Sequence, residues 1–172
     1  MLPNAKSSNW KKILPSVKTY TKTLIHLLET LKDEETLSYV LNYVYEAIPY
    51  FGHFEKESRK LLKVMINNLG NSQEVIRVRS FLCIYRMGTM FPYPFLDLCV
   101  KGIYFTLIQN GKNYNYSNFE IIDFLINSFV EICGIDPIVT YQHAFVYIRQ
   151  LAITLRKSLA TEKEVRKKEK KN

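Results

Sequence analysis

Apolar residues recur along this chain at intervals of three and four, the spacing that gathers them on one side of an α-helix. Leu24, Leu27, Leu28 and Leu31 make one such stripe and Leu37, Val40, Leu41, Val44 and Ile48 another, which predicts helices over about 17–32 and 34–48. A third helix, over about 55–69, carries Leu61, Leu62, Met65, Ile66 and Leu69, with Gly70 expected as its left-handed cap. Asn71 and Glu74 stand at capping-box spacing ahead of a fourth helix, over about 72–90. Beyond Pro92 and Pro94 a fifth buries Phe95, Leu98, Cys99, Ile103 and Leu107 and ends at Asn110 and Gly111. Ser117 and Glu120 form a capping box for a sixth, with Ile121, Phe124, Leu125, Phe129 and Ile132 inward and Gly134 closing it. Asp136 as cap and Pro137 as first residue start a seventh, whose inward stripe is Tyr141, Ala144, Phe145, Ile148, Ala152, Leu155 and Leu159. After Thr161 the pattern dissolves into TEKEVRKKEKKN, which has little to bury and is expected to fray.

A longer period overlies the helical one. Pro49, Pro92 and Pro137 are expected to close helices two, four and six, at intervals of 43 and 45 residues, and the corners IPYF (48–51) and FPYPF (91–95) look alike. Helix pairs recurring at about 40 to 47 residues point to an all-α fold of about seven helices stacked as antiparallel pairs, a HEAT/armadillo-like α-solenoid. An irregular helical bundle is the alternative. Residues 1–16 then form a basic N-terminal arm, 17–160 the helical repeat domain and 161–172 a basic, disordered tail.

Charge sharpens this division. The chain has a formal charge of +8, yet residues 23–160 carry thirteen basic and thirteen acidic side chains. The excess lies in Lys6, Lys11, Lys12, Lys18 and Lys22 at one end and Lys163, Arg166, Lys167, Lys168, Lys170 and Lys171 at the other. Those last six are candidate RNA contacts, meeting phosphates without reading bases. No apolar run reaches the roughly 18 residues a membrane span needs, and no signal-peptide stretch opens the chain, so a soluble intracellular protein is expected.

Little in the sequence suggests an enzyme. Cys83, Cys99 and Cys133 lie within apolar helical patterns without CxxC spacing and are expected as buried free thiols in a reducing compartment. His26, His53 and His143 are scattered, with no HExxH motif, so no metal is expected. The six glycines form no phosphate-cradling loop, and no cofactor or small-molecule substrate is implied. Gly88 and Gly102 instead fall within helices, where a neighbour is expected to approach closely. Most aromatic residues occupy helical core positions. Tyr114 and Tyr116, in the polar segment GKNYNY, are candidates either for contact with a partner or nucleic acid or for packing back onto the helices.

Helix seven carries a second stripe. Gln142, Val146, Arg149, Ile153 and Arg156 step by four, three, four and three, mixing aliphatic residues with arginine. Two readings stand: a partner-binding face, or a solvated face whose arginines lie over their neighbours.

Several segments resemble the nucleolar complex protein 2 family: YQHAFVYIRQLAI (141–153), GIDP (134–137), FPYPFLDLCVKGIY (91–104), NWKKILPSVKTY (9–20), LIHLLE (24–29) and VIRVRSFLCIYRM (75–87). The likeness is expected to fade after Lys157 and departs from the family in GKNYNYSNFE (111–120) and the lysine-rich end. The resemblance implies a nuclear, nucleolar factor of large ribosomal subunit biogenesis that binds sister nucleolar complex proteins and travels with pre-ribosomal particles. It implies no enzymatic activity, and members several times longer than this chain. The function expected is thus a non-enzymatic helical scaffold. The alternative is a module contacting pre-ribosomal RNA through the basic termini.

Overall fold

The structure, a computed structural model, describes residues 9–51, 54–112 and 119–169. Among them are seven helices and no strand: α1 (Asn9–Thr30), α2 (Glu34–Phe51), α3 (Glu55–Asn68), α4 (Glu74–Met90), α5 (Pro92–Lys112), α6 (Phe119–Ile135) and α7 (Pro137–Glu169). Consecutive helices joined by short links pack together as α1–α2, α3–α4 and α5–α6. The odd-numbered helices also lie one on the next, α1 on α3, α3 on α5 and α5 on α7, and the even-numbered ones repeat this with α2 on α4 and α4 on α6. Helices α4 and α5 pack on each other as well, and the core is one cluster with residues from all seven helices. Leu41, Val44, Ile48, Leu61, Leu62, Met65, Ile84, Met87, Phe95, Leu96, Ile103 and Leu125 are all fully buried there, each burial worth about 1.5 to 3 kcal/mol.

The predicted stripes of α1, α2, α3, α5 and α6 contribute to this core, but several helix ends differ from expectation. Helix α1 begins at Asn9, not near residue 17, and contains Pro15. The proline lacks its N–H and crowds the carbonyl four residues back, and the hydrogen bonds on either side carry the helix across it. Helix α2 likewise runs through Pro49 to Phe51. Pro92 and Pro137 mark the breaks by opening α5 and α7, where a proline has no donor to lose.

Gly70 is not a left-handed cap. Leu69, Gly70 and Asn71 donate their N–H groups to the carbonyls three residues back, so the chain leaves α3 through successive tight turns. The Asn71–Glu74 capping box does not form either. Asn71 Oδ1 accepts from the Gln73 N–H at 2.9 Å, and α4 starts behind Gln73 without a side-chain cap. A cap unremarked in the sequence is Asp33, whose Oδ2 takes both the hydroxyl and the backbone N–H of Thr36. Those bonds, the hydroxyl's foremost, hold the Asp33 carboxyl below its ordinary range.

Arginines of α4 act as clasps between helices. Buried Arg77 donates through Nη1 to the carbonyls of Asn71 and Ser72, both at 2.9 Å, with its guanidinium over the Phe124 ring of α6. Arg86 donates to the Tyr45 carbonyl at 3.0 Å and lies over that ring at 4.2 Å. Arg79 bonds Asn42, and the Cys83 thiol donates to the Leu41 carbonyl at 3.3 Å. Cys83 and Cys99 are fully buried free thiols and Cys133 is half-buried. No described helix is long and apolar enough to cross a membrane.

Candidate partner-binding site

Helix α7 is held from one side. Asp136 Oδ1 accepts the N–H groups of Ile138 and Val139 at 3.1 and 3.2 Å, the cap read in the sequence, and Pro137 follows as first residue. Buried Thr140 donates its hydroxyl to the Cys133 carbonyl at 2.9 Å, tying the start of α7 to the end of α6. Along α5, the rings of Tyr104 and Tyr147 stack at 4.2 Å and 19°, and Tyr104 Oη donates to Gln150 Oε1 at 2.7 Å. Burial, with Tyr147 alongside, raises the Tyr104 phenol above its usual range. Leu151 is buried, and Ala144 and Leu155 are packed partly against the core.

The inward line of α7 is therefore Thr140, Ala144, Tyr147, Leu151 and Leu155. This corrects the expected stripe. Phe145 is 70% exposed and Ile148 53%, with Leu159 and Ala152 also exposed, while the side chain of Tyr141 lies outside the described residues. Most of the packing of α7 is on α5. The error has a physical origin: apolar residues occur on every side of this helix, so periodicity alone does not select one.

The described side chains of the second stripe lie on the outer side of α7. Val146 and Ile153 are about half exposed, and Arg149 and Arg156 point to solvent, while Gln142 lies on the helix with its side chain outside the described residues. Arg149, Ala152, Ile153, Arg156 and Lys157 line a shallow hollow of about 630 Å³. Among the described residues neither arginine makes an ion pair, and residues 137–161 contain no Asp or Glu. The outer face is thus apolar and cationic together, with nothing of this chain's described residues laid over it.

The remaining candidates are more dispersed. Helix α7 continues past Thr161 to Glu169, so the stretch expected to fray is helical. Its residues are strong helix formers, with Glu162 and Glu164 each four residues ahead of a basic partner, Arg166 and Lys168. Lys163 is exposed on this helix, Arg166, Lys167 and Lys168 follow on its backbone, and Lys170 and Lys171 lie outside the described residues. Tyr114, Tyr116 and Ser117 also lie outside them. Among the described residues no three His, Cys, Asp or Glu side chains come together as metal ligands. Sequence reasoning missed a second exposed apolar line, Val75, Val78, Leu82 and Tyr85 on α4, whose three-four-three spacing is its signal.

Residues 94–172 match the model of the Noc2p family. The likeness therefore extends to the last residue, beyond Lys157 where it was expected to fade. Across most of its length the chain is 32% identical to Nucleolar complex-associated protein 2 of Arabidopsis thaliana, over 152 residues that make up 88% of this chain and 20% of that protein. It is 29% identical to Nucleolar complex protein 2 of Drosophila melanogaster, over 95% of this chain and 21% of that protein. Protein REBELOTE of Arabidopsis thaliana is 28% identical, over 88% of this chain and 25% of its own length. The chain spans about a fifth of the length of the first two of these relatives.

Proposed function

Because the chain carries a Noc2p-family domain, we propose that it is a non-enzymatic helical scaffold of a nucleolar complex in large ribosomal subunit biogenesis and intranuclear pre-ribosome transport. Relatives named as nucleolar complex proteins support a nuclear, nucleolar location. The ordered rows of odd and even helices support a HEAT/armadillo-like α-solenoid of antiparallel pairs, in which each helix is covered by its neighbours in the row. The observation that carries the reading is the outer face of α7. Val146, Arg149, Ile153 and Arg156, with Gln142 on the same line, mix apolar area with arginine anchors as interface centres do. Sister nucleolar complex proteins are the partners this face would receive.

The test is the double variant Arg149→Glu, Arg156→Glu. Both side chains are exposed and outside the fold's contacts, so the helical signal and thermal midpoint should be nearly unchanged. Recovery of sister nucleolar complex proteins from nuclear extract should drop, with association weakened by at least about 2 kcal/mol. A folded double variant that recovers them normally refutes the reading. Running the same pull-down with nuclease examines the second reading, an RNA-binding module, which the basic end of α7 favours. Recovery lost on nuclease treatment would place RNA between this chain and its companions.

A further inference from the structure

The electrostatics of α7 narrow what can cover it. Resting on the reading that its outer face is a docking surface, we propose that the occupant is an acidic amphipathic helix of another protein. Its carboxylates would meet Arg149 and Arg156 while its apolar ridge lies against Val146 and Ile153.

At about 100° per residue, Arg149 and Arg156 fall on the crest opposite the buried line through Ala144, Tyr147 and Leu151. Phe145, Ala152 and Leu159 run along one side of that crest, and Val146 and Ile153 along the other. A line of arginines beside a line of exposed aliphatic side chains suits a helix laid along α7. The described residues hold only helices, so no sheet edge is offered to an extended peptide.

Charge then separates the possible occupants. A second copy laid α7 against α7 about a two-fold axis would set Arg149 and Arg156 near their own counterparts with no acid between 137 and 161 to relieve them. The chain's own remaining segments do no better. Residues 1–8 (MLPNAKSS), 113–118 (NYNYSN) and 170–172 (KKN) contain no carboxylate side chain, and the run TEKEVRKKEKKN is net basic. The carboxylates that complement this face are therefore not supplied by these segments, and an acidic partner helix supplies them. RNA phosphate would satisfy the arginines but leave Phe145, Ile148 and Ile153 against a charged backbone, without an apolar partner.

The test uses the 172-residue chain and fluorescence anisotropy with three labelled probes. One is a helical peptide of about three heptads with Leu at a and d and Glu at e and g; another has Lys in place of each Glu; the last is single-stranded RNA of similar length. The Glu peptide should bind, and the Lys peptide should bind at least about tenfold more weakly. Arg149→Glu with Arg156→Glu should invert that preference while circular dichroism stays unchanged.

Equal binding of both peptides, abolished for both by Ile153→Asp, overturns the acidic occupant and leaves the docking surface standing. Binding of RNA alone, lost in the double variant, overturns it in favour of nucleic acid. Absence of Glu-peptide binding at about 100 μM also overturns it. The docking reading then falls with it only if Ile153→Asp recovers sister complex proteins normally from extract.

Discussion

Gly102 of α5 sits where α3 passes too close for a side chain, and replacing it tests the packing of the odd row. A Cβ built there would lie 2.5 Å from Ile66 Cδ1, 3.0 Å from its Cγ2 and 3.3 Å from its Cγ1. Ile66 is buried and β-branched, so rotating Cδ1 away still leaves Cγ2 in the path. Relief requires Ile66 to turn its Cδ1 away and the facing backbones to give by a few tenths of an ångström, at an overpacking cost of about 1 to 3 kcal/mol. Against this, alanine is favoured over glycine within a helix by about 1 kcal/mol. Gly102→Ala should therefore destabilise by up to about 2 kcal/mol, lowering the thermal midpoint by up to about 8 °C in a chain of this size.

The control is Gly134→Ala, where a Cβ meets nothing within 4 Å, and the midpoint should hold or rise. Calorimetry on the cycle with Ile66→Ala completes the assay. Truncating Ile66 costs about 2 to 5 kcal/mol by itself, but in that background Gly102→Ala should become neutral or stabilising. If Gly102→Ala raises the midpoint by itself, or costs the same in both backgrounds, the close approach of α3 and α5 is wrong.

The orientation of α7 is checked by two truncations: Leu151→Ala should cost about 2 to 4 kcal/mol in urea unfolding, whereas Phe145→Ala, 70% exposed, should cost within about 0.5 kcal/mol. The reverse ranking would restore the stripe expected from sequence. Burial pushes the Cys99 thiol up to about 12 from an ordinary 9.0, so the unfolded chain releases that proton first. The thiol's contribution is therefore whole below pH 9 and declines as pH rises toward the folded value, by about 1.4 kcal/mol per unit. The stability advantage of the parent over Cys99→Ala should shrink accordingly between about pH 9 and 11, and an advantage that holds constant would show the thiol to be solvated.

Much of the helical organisation was legible because a buried helix face needs apolar residues every three or four positions whatever it packs against. Leu41, Val44 and Ile48, or Leu61, Leu62, Met65 and Ile66, could be assigned to the core without knowing their neighbours. Asp136 before Pro137 was equally readable, since a cap is a local arrangement of one side chain and the next few N–H groups. The prolines were less informative. Pro15 and Pro49 remain inside helices because a single missing donor is outweighed by the packing and hydrogen bonds on either side. The candidate site was half legible: spacing put Val146, Arg149, Ile153 and Arg156 on one line, but left Phe145 and Ile148 on the wrong side of the helix.

Sequence alone determined that this is an all-helical chain, where most of its core residues lie, and that its charge excess sits at the ends, since those depend on local periodicity and composition. It also located Gly102 as a place of close approach without showing what approached. Only the tertiary structure decided that Ile66 fills that space, that Arg77 is buried as a clasp with its guanidinium over Phe124, and which face of α7 turns inward. For α7 the reason is that its apolar residues encircle it. The choice was made by α5, whose Tyr104 stacks on Tyr147 and reaches Gln150. Those contacts join residues more than forty positions apart, and no pattern confined to one helix contains them.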